Sequence, residues 1–173
     1  MKKALIMAVV ICLVLPAGVF CSGKTGFGAD LASVQDIFLG QGSYQVSLDF
    51  RTMVSDEFQI RIPLSATFIR TSFMFEGALM LVYYPWQTGP FLGLSVFQMG
   101  FTCQCPDLEN LVNLNEVQIG WTFEFGPGLF VEPSLVVRDP SGTFSDEYSR
   151  LKGVFPCYTT FRGKLSFGWN FWR

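Results

Sequence analysis

The chain has 173 residues, half of them hydrophobic, with 19 Phe, 12 Lys and Arg, 14 Asp and Glu and no His, for a net charge of −2. That length fits one domain, and with no basic excess to neutralise phosphates, nucleic acid is not an expected partner. The absence of imidazole excludes hydrolases that use His as general base and removes the commonest metal ligand.

The N-terminus reads Met1-Lys2-Lys3, then an apolar run from Ala4 to Leu15, then Pro16-Ala17-Gly18. A basic start, a short apolar core and small residues beyond it make a secretory signal peptide. The run is too short for a spanning helix, which needs about 20 residues. Cys21 stands where a lipid-modified cysteine would, but the bulky Phe20 before it favours ordinary cleavage between Cys21 and Gly23. Residues 1–23 are therefore expected to be removed, leaving residues 24–173 as one exported domain with 10 basic and 14 acidic side chains.

Eight segments then alternate with the period of two that marks a strand. Thr25 to Ser33 is Gly-rich, with Phe27, Ala29 and Leu31 on one side. Ser43 to Met53 sets Tyr44, Val46, Leu48 and Phe50 against Gln45, Ser47, Asp49 and Arg51. Glu57 to Ile69 sets Phe58, Ile60, Ile62, Leu64, Ala66 and Phe68 against Gln59, Arg61, Ser65 and Thr67. Ser72 to Tyr84 follows, with Phe73, Phe75, Leu79, Leu81 and Tyr83 opposite Ser72, Glu76 and Ala78. In Phe91 to Cys103 the apolar face changes sides, from Leu92, Leu94 and Val96 to Phe97, Met99 and Phe101, as a bulge would make it. Glu116 to Gly126 and Leu129 to Arg138 alternate again. The last segment, Phe161 to Arg173, sets Phe161, Leu165, Phe167, Trp169 and Phe171 against Arg162, Lys164, Ser166, Asn170 and Trp172. No segment shows a helical period.

The connections at Val54–Asp56, Pro85–Pro90 and Gly126–Gly128 are short, whereas the first, fifth and seventh are long, the last running from Asp139 to about Pro156. Only the third, at Arg70-Thr71, departs from an alternation of short turns and long loops. That alternation, with an even strand count, predicts an all-β fold: an eight-stranded antiparallel transmembrane β-barrel in up-and-down meander order, in the outer membrane of a diderm bacterium with lipid around it. Pro63 and Pro133 fall inside strands of a barrel that has no free edge, so each is expected at a bulge or rim.

Such a barrel can be wired with its apolar face outward, or inward as in a secreted lipocalin-like binding barrel. Tyr83, Tyr84, Trp86, Trp169, Phe171 and Trp172 all fall at the short-turn ends, where a headgroup-level aromatic belt would lie. With that wiring the lumen receives Asp49, Glu76, Glu116, Glu124 and Glu132 together with Arg51, Arg61, Arg138, Arg162 and Lys164. Unpaired charges in a narrow interior are costly, so a luminal charge network that fills the barrel is expected. Glu124 and Glu132 flank one turn and would suit acid–base chemistry, but pairing with luminal bases accounts for them more simply. Met74, Met80 and Phe97 are candidate apolar lumen residues. Cys103, Cys105 and Cys157 remain after the signal and map to the outer strand ends or loops. A disulfide from Cys103 or Cys105 to Cys157 would tie the fifth connection to the seventh.

The run Tyr83-Tyr84-Pro85-Trp86 with Gly89-Pro90-Phe91-Leu92-Gly93 resembles the strand–turn–strand piece of small OmpW/OmpX/OmpA-type barrels. Phe130-Val131-Glu132-Pro133-Ser134-Leu135 and the aromatic C-terminal strand are similar to their later hairpins. The resemblance implies eight antiparallel strands, no cofactor and no catalysis; no metal is expected either, since the chain has no His and three thiols in an oxidising compartment are poor candidates. It also implies a C-terminal strand read by the barrel-assembly machinery; this chain ends Phe171-Trp172-Arg173, one residue past the aromatic. OmpX- and OmpA-like members have filled polar interiors and act through surface loops that meet extracellular ligands, or as structural elements. OmpW-like members are associated with passage of small hydrophobic molecules. The charged inward face favours the first kind, with a narrow porin-like channel as the alternative.

Overall fold

The computed structural model describes residues 25–31, 42–69, 72–103 and 111–171; the segment expected to be a signal peptide, Cys105 and Trp172 lie outside these. Among the described residues, ten strands and one helix follow in chain order: β1 (Thr25–Asp30), β2 (Tyr44–Met53), β3 (Phe58–Ile69), β4 (Ser72–Tyr83), β5 (Pro90–Cys103), β6 (Leu111–Asn113), β7 (Glu116–Trp121), β8 (Phe123–Phe125), β9 (Leu129–Arg138), α1 (Ser145–Val154) and β10 (Phe161–Asn170). Successive staves of the wall pair antiparallel, β10 pairs with both β9 and β1, and the sheet closes on itself. The three pieces β6, β7 and β8 succeed one another along one line between β5 and β9, so the wall has eight staves in meander order.

The alternation in sequence is the alternation between the two faces of the wall. Along β2 each odd residue from Gln45 to Arg51 is buried, and each even one from Tyr44 to Phe50 is exposed. The exposed set is apolar: Leu48, Phe75, Leu81, Leu94, Ile119, Leu135, Leu165 and Phe167 all lie on the outside. The buried set is polar and includes Asp49, Arg51, Arg61, Glu76, Glu132, Arg138 and Arg162. The usual polarity of a folded chain is therefore reversed.

Two local devices keep that polarity consistent. In β5 the register with β4 shifts by one residue, from Leu79 paired with Phe97 to Met80 paired with Ser95. Val96 is the extra residue, so Val96 and Phe97 both project outward and the apolar stripe continues unbroken on one face. Phe97, 57 % exposed, is thus not a lumen residue. Pro63 and Pro133 are solved differently from the expected bulge or rim. Each sits mid-strand with its register intact; β3–β4 pairing lapses at Ile62 and Pro63, and β9 pairing with the sixth stave lapses at Glu132 and Pro133. The missing N–H falls on that side, and the opposite ladder runs through undisturbed, Pro63 against Asp49 and Pro133 against Leu165.

The seventh connection contains α1, where no helix was expected. Asp146 and Glu147 in its first turn and Lys152 in its last suit the helix dipole. Tyr148, Leu151 and Phe155, at i, i+3 and i+7, make one apolar stripe that turns into the barrel mouth.

Candidate functional site

The lumen is the candidate site, and its contents fall into three levels. At the short-turn end lies a layer of four charges. The Glu132 side chain is fully buried, and Arg51 Nη1 donates to its Oε2 at 2.5 Å while Arg61 Nη1 donates to its Oε1 at 2.6 Å. Arg51 also binds Asp49 Oδ2 through Nε and Nη2, at 3.0 and 2.5 Å. Arg61 donates Nε to Gln59 Oε1 at 2.5 Å and Nη2 to the Tyr84 hydroxyl at 2.6 Å. Thr122 completes the layer by donating to Glu132 Oε2 at 3.1 Å. Two positive and two negative charges cancel, and the guanidinium forks are matched to carboxylate geometry, the arrangement that makes buried ion pairs tolerable. Phe130 lies 3.8 Å under Arg51 and Phe91 4.6 Å under Arg61, measured from ring centre to guanidinium carbon.

Glycines make the room. Gly28 faces inward opposite Asp49, and a β-carbon there would meet Arg51 Nη2 and Asp49 Cγ at 3.1 Å. Gly168 leaves the same kind of space for the Phe130 ring. The weak, Gly-rich look of the first strand is thus the imprint of bulky groups packed across from it.

Above this layer is a polar chamber of about 50 Å³, space for a few waters. Glu76 accepts from Gln45 Nε2 at 3.0 Å and Gln98 Nε2 at 3.3 Å. Arg138 donates Nε to Glu116 at 2.8 Å and Nη2 to Gln45 Oε1 at 3.1 Å. Lys164 and Arg162 belong to the chamber wall, as does Met80.

The third level closes the mouth at the end of the long connections. Leu151, Phe155, Cys157 and Tyr158 pack with Met74, Val112 and Leu114 in an apolar cluster. The backbone of Cys157 fastens it: its carbonyl accepts from Arg138 Nη1 at 3.2 Å and Arg162 Nη1 at 3.1 Å, and its N–H donates to Ser43 Oγ at 3.1 Å. Arg138 stands 4.1 Å from the centre of the Tyr158 ring. The Tyr148 hydroxyl donates to the carbonyl of Asn115 at 2.7 Å and accepts its N–H at 3.2 Å. Burial, reinforced by nearby Glu116, pushes that phenol well above its usual pKa, so it stays a donor.

The charges expected in the lumen therefore divide. Asp49, Arg51, Arg61 and Glu132 come together; Glu116 pairs with Arg138; Glu76 is held by amides; Arg162 holds the cluster above. Glu124 does not join them. It is exposed at the short-turn rim, beside a second cavity of about 30 Å³, and is separated in role from the buried Glu132. In the expected aromatic belt, Tyr83 and Trp169 project outward, Trp86 is 70 % exposed in its turn and Phe171 is exposed. Tyr84 is the correction: it turns inward, only 4 % exposed, because Arg61 and Thr122 engage its hydroxyl. Cys103 projects from the outer face while Cys157 is buried inside the mouth, so the wall stands between them.

Sequence reasoning placed Gln45 and Gln59 on the inward face without a role, since an uncharged inward residue reads like any polar one, and it missed Gln98 and the aromatic partners Phe91, Phe130 and Tyr158. The i, i+3, i+7 stripe at Tyr148, Leu151 and Phe155 was the available sign of the closing segment. Comparison with known proteins adds no relative: no family model matches the chain, and no curated protein or solved structure matches it significantly.

Proposed function

We propose that this chain is a small, non-enzymatic integral protein of a bacterial outer membrane, a filled barrel that acts through its wall and outer surface and does not conduct. The observation that carries the reading is the reversed polarity, with Leu, Ile, Phe and Trp side chains on the outside and two Arg–carboxylate systems inside. Soluble barrels that bind apolar ligands need the opposite wiring. Six of the eight staves are strands of 10 to 14 residues, which at about 3.3 Å per residue and a tilt of roughly 40° give an apolar band of about 25–35 Å, the height of a hydrocarbon core. Aromatic rings collect toward both margins of the band. Tyr83 packs on Phe58 at 5.1 Å and Trp121 on Phe123 at 6.1 Å at the short-turn side; Tyr44 stacks on Phe68 at 5.4 Å at the other. Lipid and the assembly machinery that inserts such strands are then the constitutive partners, and the long connections are the surface open to extracellular ligands.

Membrane fractionation followed by a boiled-against-unboiled gel of the refolded protein tests the location. Partition with the outer membrane and a mobility that changes only on heating are expected. A chain that stays soluble without detergent and shows no heat shift would overturn the reading. Planar bilayers test the filled lumen: no steady unit current is expected, and reproducible currents from purified protein would establish the narrow channel instead.

A further inference from the structure

The segment between β9 and β10 buries more of itself than a surface loop does. Asp139 has a φ of 49° and Gly142 one of 69°, so the chain turns sharply on leaving β9. Its base is pinned, because Arg138 N–H donates to the Thr160 carbonyl at 2.8 Å across the two ends. Between those ends, polar attachment to the wall among the described residues is gathered at two places. One is Asn115, which receives Tyr148 and Asp139 on its carbonyl and donates to Ser141 Oγ at 3.0 Å. The other is the Cys157 backbone, held by Arg138, Arg162 and Ser43.

The seat of this segment is incompletely satisfied. Among the described residues, the buried side-chain atoms without a hydrogen-bond partner are Thr67 Oγ1, Gln98 Oε1, Asn115 Oδ1 and the Tyr158 hydroxyl. Thr67 pairs across the sheet with Met74 of the apolar cluster, Asn115 is the clamp and Tyr158 is in the cluster, so these three belong to the seat, whereas Gln98 lines the chamber beneath, which has room for water. The layer around Glu132 contributes none of them. An unpaired buried donor or acceptor pays a desolvation penalty that water would relieve, so the seated state carries a cost that vanishes if the segment lifts.

We infer that residues 139–160 form a detachable cap. The cap lifts from the mouth as a unit, pivoting on the pinned base, and converts the chamber into a blind pocket open on the side of the long connections. The Arg51–Glu132–Arg61 layer keeps the other end shut. The lining offers acids (Asp30, Asp49, Glu76, Glu116) and bases (Arg61, Arg138, Arg162, Lys164) in equal number, so the pocket takes water and small polar solutes without net charge; a net charge would be left unbalanced there. That the open side is extracellular rests on the outer-membrane reading, whereas the lifting itself does not.

The test combines hydrogen–deuterium exchange with acetylation by a water-soluble N-hydroxysuccinimide ester on the refolded full chain. Heat-shift analysis is run first, so that failure of the barrel reading registers separately. Amides of residues 145–158 should exchange on the order of 100-fold faster than those of β2 to β4 with the heat shift intact. Lys164, half-buried in the chamber wall on β10, should be acetylated in step with that opening, well behind Lys152, which is exposed on α1. Tyr148→Phe, which removes the hydroxyl from Asn115, should accelerate both signals roughly tenfold. Leu151→Asp should bring Lys164 to the rate of Lys152; if that variant does not refold, Tyr148→Phe decides alone. Exchange of the cap only together with the strands overturns the inference, and so does rapid cap exchange with Lys164 unreactive.

Discussion

The two ends of the lumen are closed by different materials. At the short-turn end the closure consists of side chains rooted in the wall: Arg51 on β2, Arg61 on β3 and Glu132 on β9 meet across the barrel, and Asp49 and Tyr84 complete their bonding. At the other end a single connection brings its own apolar side chains and is fastened mostly through backbone groups. A closure rooted in three separate staves has no way to open without parting buried charges or deforming the wall. A closure carried on one connection can leave while the wall stays as it is. The first therefore belongs to the stability of the barrel, and the second to the equilibrium of one segment.

The sharpest way to break that contrast is Glu132→Ala. It strands Arg51 and Arg61 in a buried layer, and losing one partner of a buried pair costs about 3–5 kcal/mol. The urea midpoint of the whole barrel, read by loss of the heat-modifiable band, should fall accordingly. An unchanged midpoint would mean that water reaches the layer and the two ends are not different in kind. Leu151→Ala is the matching lesion at the mouth. Deleting a fully buried Leu side chain costs about 2–4 kcal/mol, but here the loss should appear only in the exchange of residues 145–158, with the barrel midpoint held. A fall in the midpoint of the same size would show that cap and wall unfold as one unit.

The same division decides what could be read from the sequence. Which face of each stave is apolar was legible, because a period of two needs only local information, and even the change of side near Val96 was visible as a break in that period. Partners inside the lumen were not. Glu132 lies 81 residues from Arg51 and 71 from Arg61, on staves that are not adjacent in the wall, so closure of the barrel and the height of each residue along the axis choose the pair. Tyr84 was misplaced because it sits at the edge of its strand, where the parity rule loses hold and a guanidinium settles the direction. The helix was overlooked because it spans ten residues, and its apolar stripe is three side chains long. Pro63 and Pro133 need neither the bulge nor the rim that the sequence predicts; each costs the ladder one donor on one side, and the opposite neighbour carries the register past it.

A single chemical change applied to both ends sharpens the comparison further. Tyr84→Phe removes a hydroxyl that accepts from Arg61 and exchanges a bond with Thr122. Hydrogen bonds to a charged group are worth about 1.5–3 kcal/mol, so the barrel midpoint should drop by an amount in that range, less than for Glu132→Ala.

Tyr158→Phe deletes the same atom where it has no partner. The ring that faces Arg138 is kept, and the desolvation of an unpaired hydroxyl disappears, so the seated cap should gain up to about 1 kcal/mol. Exchange of residues 145–158 should slow several-fold, with the midpoint unmoved. Opposite signs from one substitution follow only if the hydroxyl is a working acceptor in the charged layer and an unsatisfied burden under the cap. A Tyr158→Phe variant that loosens the cap would instead place a bonded group at that hydroxyl, and the incomplete seat from which the lifting follows would be gone.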